Sequence, residues 1–162
     1  MKFFIEQIAL HPTNPEAARA LLTDLGLTEW VQDTVLADGQ VFSFPGSNTA
    51  DLAFNYQATR PDPKPLELEI LHYKAGPNWM HNRGAAVSHL GMHCTAEELE
   101  EFERKFAAMG IKIAQSVFTR SHTNPFLLAN GRKYQYVIFD TKEILGVDLK
   151  FIVRREEEPR NG

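Results

Sequence analysis

His89 is the residue of this sequence whose type and setting most directly suggest chemistry. It lies in residues 86–94, where side chains alternate between two faces with the period of a β-strand, and it shares its face with Gly91 and His93. An imidazole that faces inward from a strand could ligate a metal ion. The alternative is a hydrogen-bonded histidine of the core or surface.

The same alternating pattern occurs earlier in the chain, over residues 3–11. There Gln7 takes the place that His89 has in the second half, and Glu69 likewise corresponds to Lys150. The two offsets are nearly equal, at 82 and 81 positions. Near-equal offsets indicate an internal repeat, so these four side chains are expected at matching places of two similar units.

A helix is predicted directly after each of the two alternating strands. Thr95 and Glu98 form the pattern of a capping box at the start of the second helix, and Pro15 suits the first turn of the first helix. Gly26 and Gly110 are typical of residues that follow a helix C-terminus. Each half then reads as strand, helix and about three more strands, which predicts a duplicated βαβββ unit.

The predicted fold class is α+β, with two tandem βαβββ modules that form a half-open barrel around a cleft. The modules are expected over residues 1–75 and 86–153, with a linker at 76–85 and a charged tail at 154–162, as one structural domain overall. Asp38–Gly39 and residues 45–48 are typical of tight turns, and residues 121–132 are predicted to be a long loop.

Composition excludes several classes of function. The 162 residues are 43% hydrophobic and 23% charged, as in ordinary globular proteins. A net charge of −4 argues against nucleic acid as a partner, and no apolar run reaches the length of a membrane span. The N-terminus meets a charge too soon for a signal peptide, and the single cysteine, Cys94, suits a reducing compartment, so a cytoplasmic protein is expected.

The sequence resembles the vicinal oxygen chelate superfamily, which includes glyoxalase I, methylmalonyl-CoA epimerase, extradiol dioxygenases and the fosfomycin and bleomycin resistance proteins. The resemblance covers nearly the whole chain, roughly residues 3–153. It rests on residues 6–10 with 17–26, on residues 88–92 with 97–110, and on residues 69–73, which match the last strand of the first module.

The resemblance implies that each module offers one metal ligand from its first strand and one from its last. Gln7, Glu69 and His89 suit this role and would hold Zn, Ni, Mn or Fe(II). The fourth position departs from the family pattern, because the Lys150 ammonium has no lone pair and repels a cation. Asp148 lies two residues earlier on the same face and is the alternative fourth ligand.

The departure at Lys150 leaves three alternatives. A metal with three protein ligands could bind a substrate through two vicinal oxygens, as in a dioxygenase or lyase. Lys150 could instead replace the metal by forming a buried ion pair in the cleft. It could also extend from the sheet edge with no role in the cleft. Because the resemblance places the proton-moving carboxylate at this fourth position, classical glyoxalase I activity is not expected.

Further polar residues are expected around the cleft. His122 is a candidate catalytic residue beside Lys150 and Asp148, and the alternative for it is a solvated loop. The candidates for substrate binding are His11, His93, Arg120 and Glu67.

Two functions remain open at this point. One is a small-molecule metalloenzyme of the superfamily, acting as a lyase, isomerase or dioxygenase on a substrate with vicinal oxygens. The other is a metal-free protein of the bleomycin-resistance type, which binds or sequesters a small molecule and for which a homodimer is expected.

Overall fold

Eight strands form one sheet that closes into a barrel in the computed structural model, which describes residues 1–42, 44–61, 63–75 and 87–156. The first half contains β1 (Gln7–Leu10), α1 (Pro15–Asp24), β2 (Val31–Val41), β3 (Phe44–Asn55) and β4 (Glu67–Ala75). The second half contains β5 (Val87–Cys94), α2 (Ala96–Ala108), β6 (Ile113–Ser121), α3 (Pro125–Ala129), β7 (Tyr134–Phe139), α4 (Lys142–Leu145) and β8 (Asp148–Arg154). The predicted linker and residues 157–162 of the predicted tail lie outside the described residues.

The strand order repeats the same arrangement in each half. Around the barrel it is β1-β4-β3-β2-β6-β7-β8-β5. In each half the first strand pairs in parallel with the last, so that Gln7 lies beside Glu67 and His89 beside Asp148. The halves join through the antiparallel pairs β1–β5 and β2–β6, which close the sheet. The predicted α+β fold of two βαβββ units is therefore confirmed.

The main apolar core lies outside the barrel, between the second half of the sheet and α2. The helix begins at the predicted capping box, in which Thr95 and Glu98 satisfy each other's backbone N–H groups. It buries Leu99, Phe102 and Phe106, and the Phe106 ring stacks on Phe139 with 4.2 Å between centroids. Because this core takes the outward-facing side chains of the strands, their inward-facing side chains are left to line the barrel interior.

Two predicted turns are wrong, and the reason is packing between strands. Asp38 and Gly39 lie within β2, and residues 45–48 lie within β3, so the chain reverses direction after Phe42, whose φ is 48°. Gly39 instead permits a close approach of β6, because a Cβ there would lie 2.2 Å from the backbone oxygen of Ser116. A glycine required by a neighbouring strand looks like a turn glycine in the sequence.

The predicted loop over residues 121–132 contains the short helix α3. The Asn124 side chain caps it by accepting hydrogen bonds from the backbone N–H groups of Phe126 and Leu127. Helix α4 likewise lies between β7 and β8, where no helix is predicted. None of the helices in the described part of the chain is long and apolar enough to cross a membrane.

Candidate functional site

A cavity of about 470 Å³ occupies the barrel interior. Most of its wall is apolar, as is typical of small-molecule sites. The apolar lining includes Val35, Ala37, Leu52, Phe54, Leu71, Val117, Leu127 and Ile152, together with the rings of Tyr73, Tyr134 and Tyr136. Polar side chains interrupt this wall, among them Asn48, Gln115 and Asn124, and two groups of them include carboxyl groups. One contains Gln7, Glu67, Glu69 and Lys150, and the other contains Asp33 and His122.

The amide of Gln7 is held in one orientation by its two neighbours. Its nitrogen donates a hydrogen bond to Glu67 Oε1, so its oxygen faces His89 Nε2 at 2.7 Å. Since an amide oxygen can only accept, the hydrogen of the neutral His89 ring lies on Nε2. Gly91 provides the space for this amide, because a Cβ at Gly91 would lie 2.8 Å from Gln7 Oε1.

His89 is fully buried and lies behind the lining of the cavity. Burial and the nearby Lys150 charge lower the pKa of His89 to about 4, so the imidazole is neutral at pH 7. Its Nδ1 lies 3.2 Å from Ser88 Oγ. With Nε2–H donating to Gln7, this nitrogen is the acceptor of the pair. Both ring nitrogens of His89 are therefore engaged within the protein.

Glu69 and Lys150 place opposite charges at the cavity wall. Both residues are buried, with 1% and 8% of their surfaces exposed. Burial by itself raises the pKa of the Glu69 carboxyl, but the Lys150 ammonium and the His89 ring, whose Nε2 lies 3.4 Å from Glu69 Oε2, together hold that pKa below its ordinary value. Glu69 is therefore an ionised carboxylate and a weak base at neutral pH.

The Lys150 ammonium keeps its donors available to the cavity. It lies over the Tyr136 ring, 4.8 Å from the centroid, which is a cation–π contact. Among the residues that the structure describes, no carboxylate lies within ion-pair distance of its nitrogen. A buried ammonium without hydrogen-bond partners is costly, so a ligand oxygen that accepts from Lys150 would be stabilised there.

Glu67 links the polar group to a further residue of the cavity wall. Its carboxylate accepts a hydrogen bond from the Tyr56 hydroxyl at 2.5 Å and a second from the Gln7 amide. Burial and the Glu67 charge raise the pKa of Tyr56, so its phenol stays protonated. A continuous chain of hydrogen bonds thus runs from Tyr56 through Glu67 and Gln7 to His89.

The structure brings Gln7, Glu69 and His89 together, but their arrangement does not fit a divalent metal. His89 uses its Nε2–H on Gln7 Oε1 and offers no lone pair to the cavity. The Lys150 charge lowers the pKa values of both Glu69 and His89. Its positive charge is therefore felt at the place where a metal cation would have to bind, and it would repel that cation. Among the described residues, no three His, Cys, Asp or Glu side chains form a group that could hold a metal ion, a finding that does not count amide ligands such as Gln7.

Of the other predicted site residues, some line the cavity and the others lie outside it. Glu67, His122 and the exposed His93 line the cavity. Asp148 is buried outside the lining and lies 4.0 Å from the Lys142 ammonium. His11 packs its ring on Tyr73, and Arg120 is exposed and lies 3.7 Å from Asp38.

Asp33 is a cavity residue that sequence reasoning does not single out. It is 4% exposed and lies 2.6 Å from Nδ1 of His122. The available signal is its inward position in β2, on the same face as Val31 and Val35. The partner of Asp33 could not be found in this way, because His122 lies in the other module.

Comparison with known proteins supports the fold. No protein-family model matches the sequence, and no curated protein matches it. A crystal structure of a hypothetical protein from Bacillus halodurans has a TM-score of 0.53 and 15% identity, over 97% of this chain and 98% of that chain. A methylmalonyl-CoA epimerase has a TM-score of 0.48 and 12% identity, over 93% of this chain and 94% of that chain.

These likenesses are limited to architecture. At 15% identity the first shows a shared fold and nothing about activity, and the TM-score of the epimerase is too low to carry an argument. Together with the strand order, the first likeness confirms the paired βαβββ fold that the resemblance to the vicinal oxygen chelate superfamily implies. Function must be argued from the cavity itself.

Proposed function

We propose that this protein binds a small, uncharged and largely apolar molecule in the barrel cavity, without a metal, and holds an oxygen of that molecule on the Lys150 ammonium. The observation that carries this proposal is the position of Lys150, a buried cation at the wall of an apolar cavity, with no carboxylate of the described residues within ion-pair distance. It favours the metal-free alternative over the metalloenzyme.

The charges around the cavity favour an uncharged ligand. Its lining contains the carboxyl groups of Asp33, Glu67 and Glu69 but only one ammonium, that of Lys150. A ligand carboxylate would approach Lys150 at the cost of repulsion from these groups in a medium of low dielectric. A ketone or similar carbonyl accepts the same hydrogen bond without that repulsion.

The ionised state of Glu69 favours binding over proton abstraction. A general base works best when its pKa lies near the working pH, whereas the Lys150 charge holds the pKa of Glu69 below its ordinary value. Glu69 therefore serves to balance the buried ammonium. This supports a binding or sequestering protein over a lyase, isomerase or dioxygenase.

The test uses three naphthalenes of similar size. These are 2-acetylnaphthalene, which carries a carbonyl, 2-ethylnaphthalene, which lacks an acceptor, and 2-naphthoate, which carries a charge. Calorimetry on the parent should show the ketone binding at least about tenfold more tightly than the hydrocarbon, as expected for a hydrogen bond from a charged donor. A chelator should leave this affinity unchanged.

The variant Lys150→Met keeps an unbranched side chain that is one atom shorter and uncharged, and it should abolish the preference for the ketone. Because it leaves Glu69 buried without its cation, Lys150→Met combined with Glu69→Gln is measured beside it. Binding that a chelator removes would support the metalloenzyme instead. Equal binding of the ketone and the hydrocarbon, or tightest binding of the naphthoate, would contradict the proposed role of Lys150.

A further inference from the structure

The second polar group of the cavity is a histidine held by a buried aspartate. Nδ1 of His122 lies 2.6 Å from Asp33 Oδ2, and the side chains are 3% and 1% exposed. The other oxygen, Asp33 Oδ1, accepts hydrogen bonds from the backbone N–H groups of Thr123 and Asn124 at 2.8 and 2.9 Å. The backbone of the turn that follows β6 thus fixes the Asp33 carboxylate, and the Asp33 carboxylate fixes the ring of His122.

The hydrogen bonds of Asp33 determine which nitrogen of His122 carries the hydrogen. Although burial alone raises the pKa of Asp33, the hydrogen bonds from His122, Asn124 and Thr123 lower it overall, so Asp33 is an acceptor. A neutral imidazole that donates through Nδ1 has its lone pair on Nε2. Nε2 of His122 is buried at the cavity wall without a hydrogen-bond partner among the described residues.

An unpartnered buried acceptor is costly, and a ligand hydroxyl or N–H would remove that cost. We infer that the ligand carries a hydrogen-bond donor, such as a hydroxyl group, which His122 Nε2 accepts, and that Asp33 is the positioning residue that sets His122 in this role. The inference rests on the proposed function, since it adds a second polar contact to the same ligand. It defines the ligand class as an apolar molecule with a carbonyl and a hydroxyl.

Lys150 and His122 have opposite hydrogen-bonding preferences. Lys150 can only donate a hydrogen bond, whereas His122 in this tautomer can only accept one. A molecule with a carbonyl and a hydroxyl would therefore be held in one direction, because the reversed molecule would turn its carbonyl, which cannot donate, toward His122 Nε2. Such pairing gives specificity, because a site built to bond a hydroxyl rejects an analogue that lacks it.

The test compares 2-acetylnaphthalene with its 6-hydroxy, 7-hydroxy and 6-methoxy derivatives at pH 8. The hydroxyl donates to Nε2, whereas the methoxy group cannot donate. In the parent, at least one hydroxy derivative should bind about tenfold more tightly than the unsubstituted ketone. His122→Phe should remove this gain and leave the Lys150-dependent preference for the carbonyl intact. His72→Phe, at a histidine outside the cavity lining, should leave the gain unchanged.

Asp33→Asn separates a positioning role from a structural one. The asparagine oxygen should stay on the backbone N–H groups of Thr123 and Asn124, so its NH₂ group faces His122 Nδ1. That nitrogen then accepts, and the hydrogen moves to Nε2. The advantage of the hydroxy derivatives over the methoxy derivative should be lost, because both oxygens can accept from Nε2–H, and ¹⁵N spectra of the His122 ring should report the exchanged tautomer.

The outcomes also separate this inference from the proposed function. If 2-acetylnaphthalene binds through Lys150 but neither hydroxy derivative binds more tightly, the inference is overturned and the proposed function stands. A gain that survives His122→Phe, or an Asp33→Asn variant that lowers all affinities equally, would also overturn it. If no derivative binds at all, both proposals fail together.

Discussion

The side chains of Gln7 and His89 meet across the two modules, with 2.7 Å between Gln7 Oε1 and His89 Nε2. The contact comes from the antiparallel pairing of β1 with β5, which places matching strands of the two repeats side by side. It joins the hydrogen-bond chain from Tyr56 to Ser88. Lys150 lines the same cavity and lies outside this chain of hydrogen bonds.

Lys150→Met should destabilise the protein most at neutral pH. Glu69 would remain buried without the nearby charge, which typically costs about 3 kcal/mol. In the parent, the lowered pKa of Glu69 stabilises the fold above pH 4.5, its ordinary value, and this stabilisation is lost as the pH falls through the folded-state value. In the variant burial dominates and raises that pKa, so protonation of Glu69 should recover stability as the pH falls.

The measurement is urea denaturation of the parent and Lys150→Met at pH 7 and pH 5. The destabilisation caused by the substitution should be smaller at pH 5. Lys74→Met is the matched control, since Lys74 is half exposed and its ion pair with Asp51, at 3.1 Å, should contribute no more than about 1 kcal/mol. An equal loss of stability at both pH values would show that Lys150 does not act on Glu69.

Lys150→Glu should create a dependence on metal that the parent lacks. The new carboxylate would complete the four-ligand pattern that the family resemblance implies, but without a cation it would repel Glu69. We therefore expect a lower melting temperature in chelator and a recovery when Zn²⁺ is added, since a ligand of the folded state stabilises it. The parent and the control Lys74→Glu should not respond to Zn²⁺, and a response of the parent would contradict the metal-free site.

His89 should make the parent sensitive to mild acid. Its pKa is about 4 when folded against 6.5 when unfolded, so the unfolded state binds a proton first as the pH falls. Between pH 7 and pH 5 this should cost about 2 kcal/mol of stability. His89→Gln keeps an N–H for Gln7 but does not titrate.

The free energy of unfolding of His89→Gln should therefore fall less between pH 7 and pH 5 than that of the parent. Denaturation at the two pH values measures this difference. His93→Gln, which replaces an exposed histidine, is the control and should retain the acid sensitivity of the parent. If His89→Gln is as acid-sensitive as the parent, the burial of a neutral His89 is not its cause.

The repeated units were predictable because their signals are local. Strand alternation around Gln7 and His89 and the capping box at Thr95 depend on residues close together in the sequence, and the alternation occurs in both halves. The same alternation predicts that Gln7, Glu69 and Lys150 face inward. It cannot predict that His89 lies behind Gln7, because that depends on how deeply each side chain enters the barrel.

The Asp33–His122 pair shows what the sequence alone does not reveal. The two residues come from different modules and meet where β2 approaches the turn after β6. No periodicity within either segment encodes this contact. Gly39 illustrates the same limit, since the residue that requires a glycine there is Ser116 in the other module.

Gly91→Ala should destabilise the protein through Gln7. The two residues are paired between β1 and β5, and an added Cβ would lie 2.8 Å from Gln7 Oε1 and 3.1 Å from Gln7 Cβ. The amide cannot move aside without losing its hydrogen bonds to Glu67 and His89. Overpacking of this kind costs about 1–3 kcal/mol.

A double-mutant cycle with Gln7→Ala tests this explanation by urea denaturation. Gln7→Ala should destabilise the fold by itself, because Glu67 and His89 each lose a partner. In that background Gly91→Ala should cost at least about 1 kcal/mol less than in the parent, because the amide oxygen that it would approach most closely is gone and only the contact with Cβ remains. Additive costs would mean that the alanine at position 91 is accommodated without contact with Gln7, and the fixed orientation of the Gln7 amide would then need another cause.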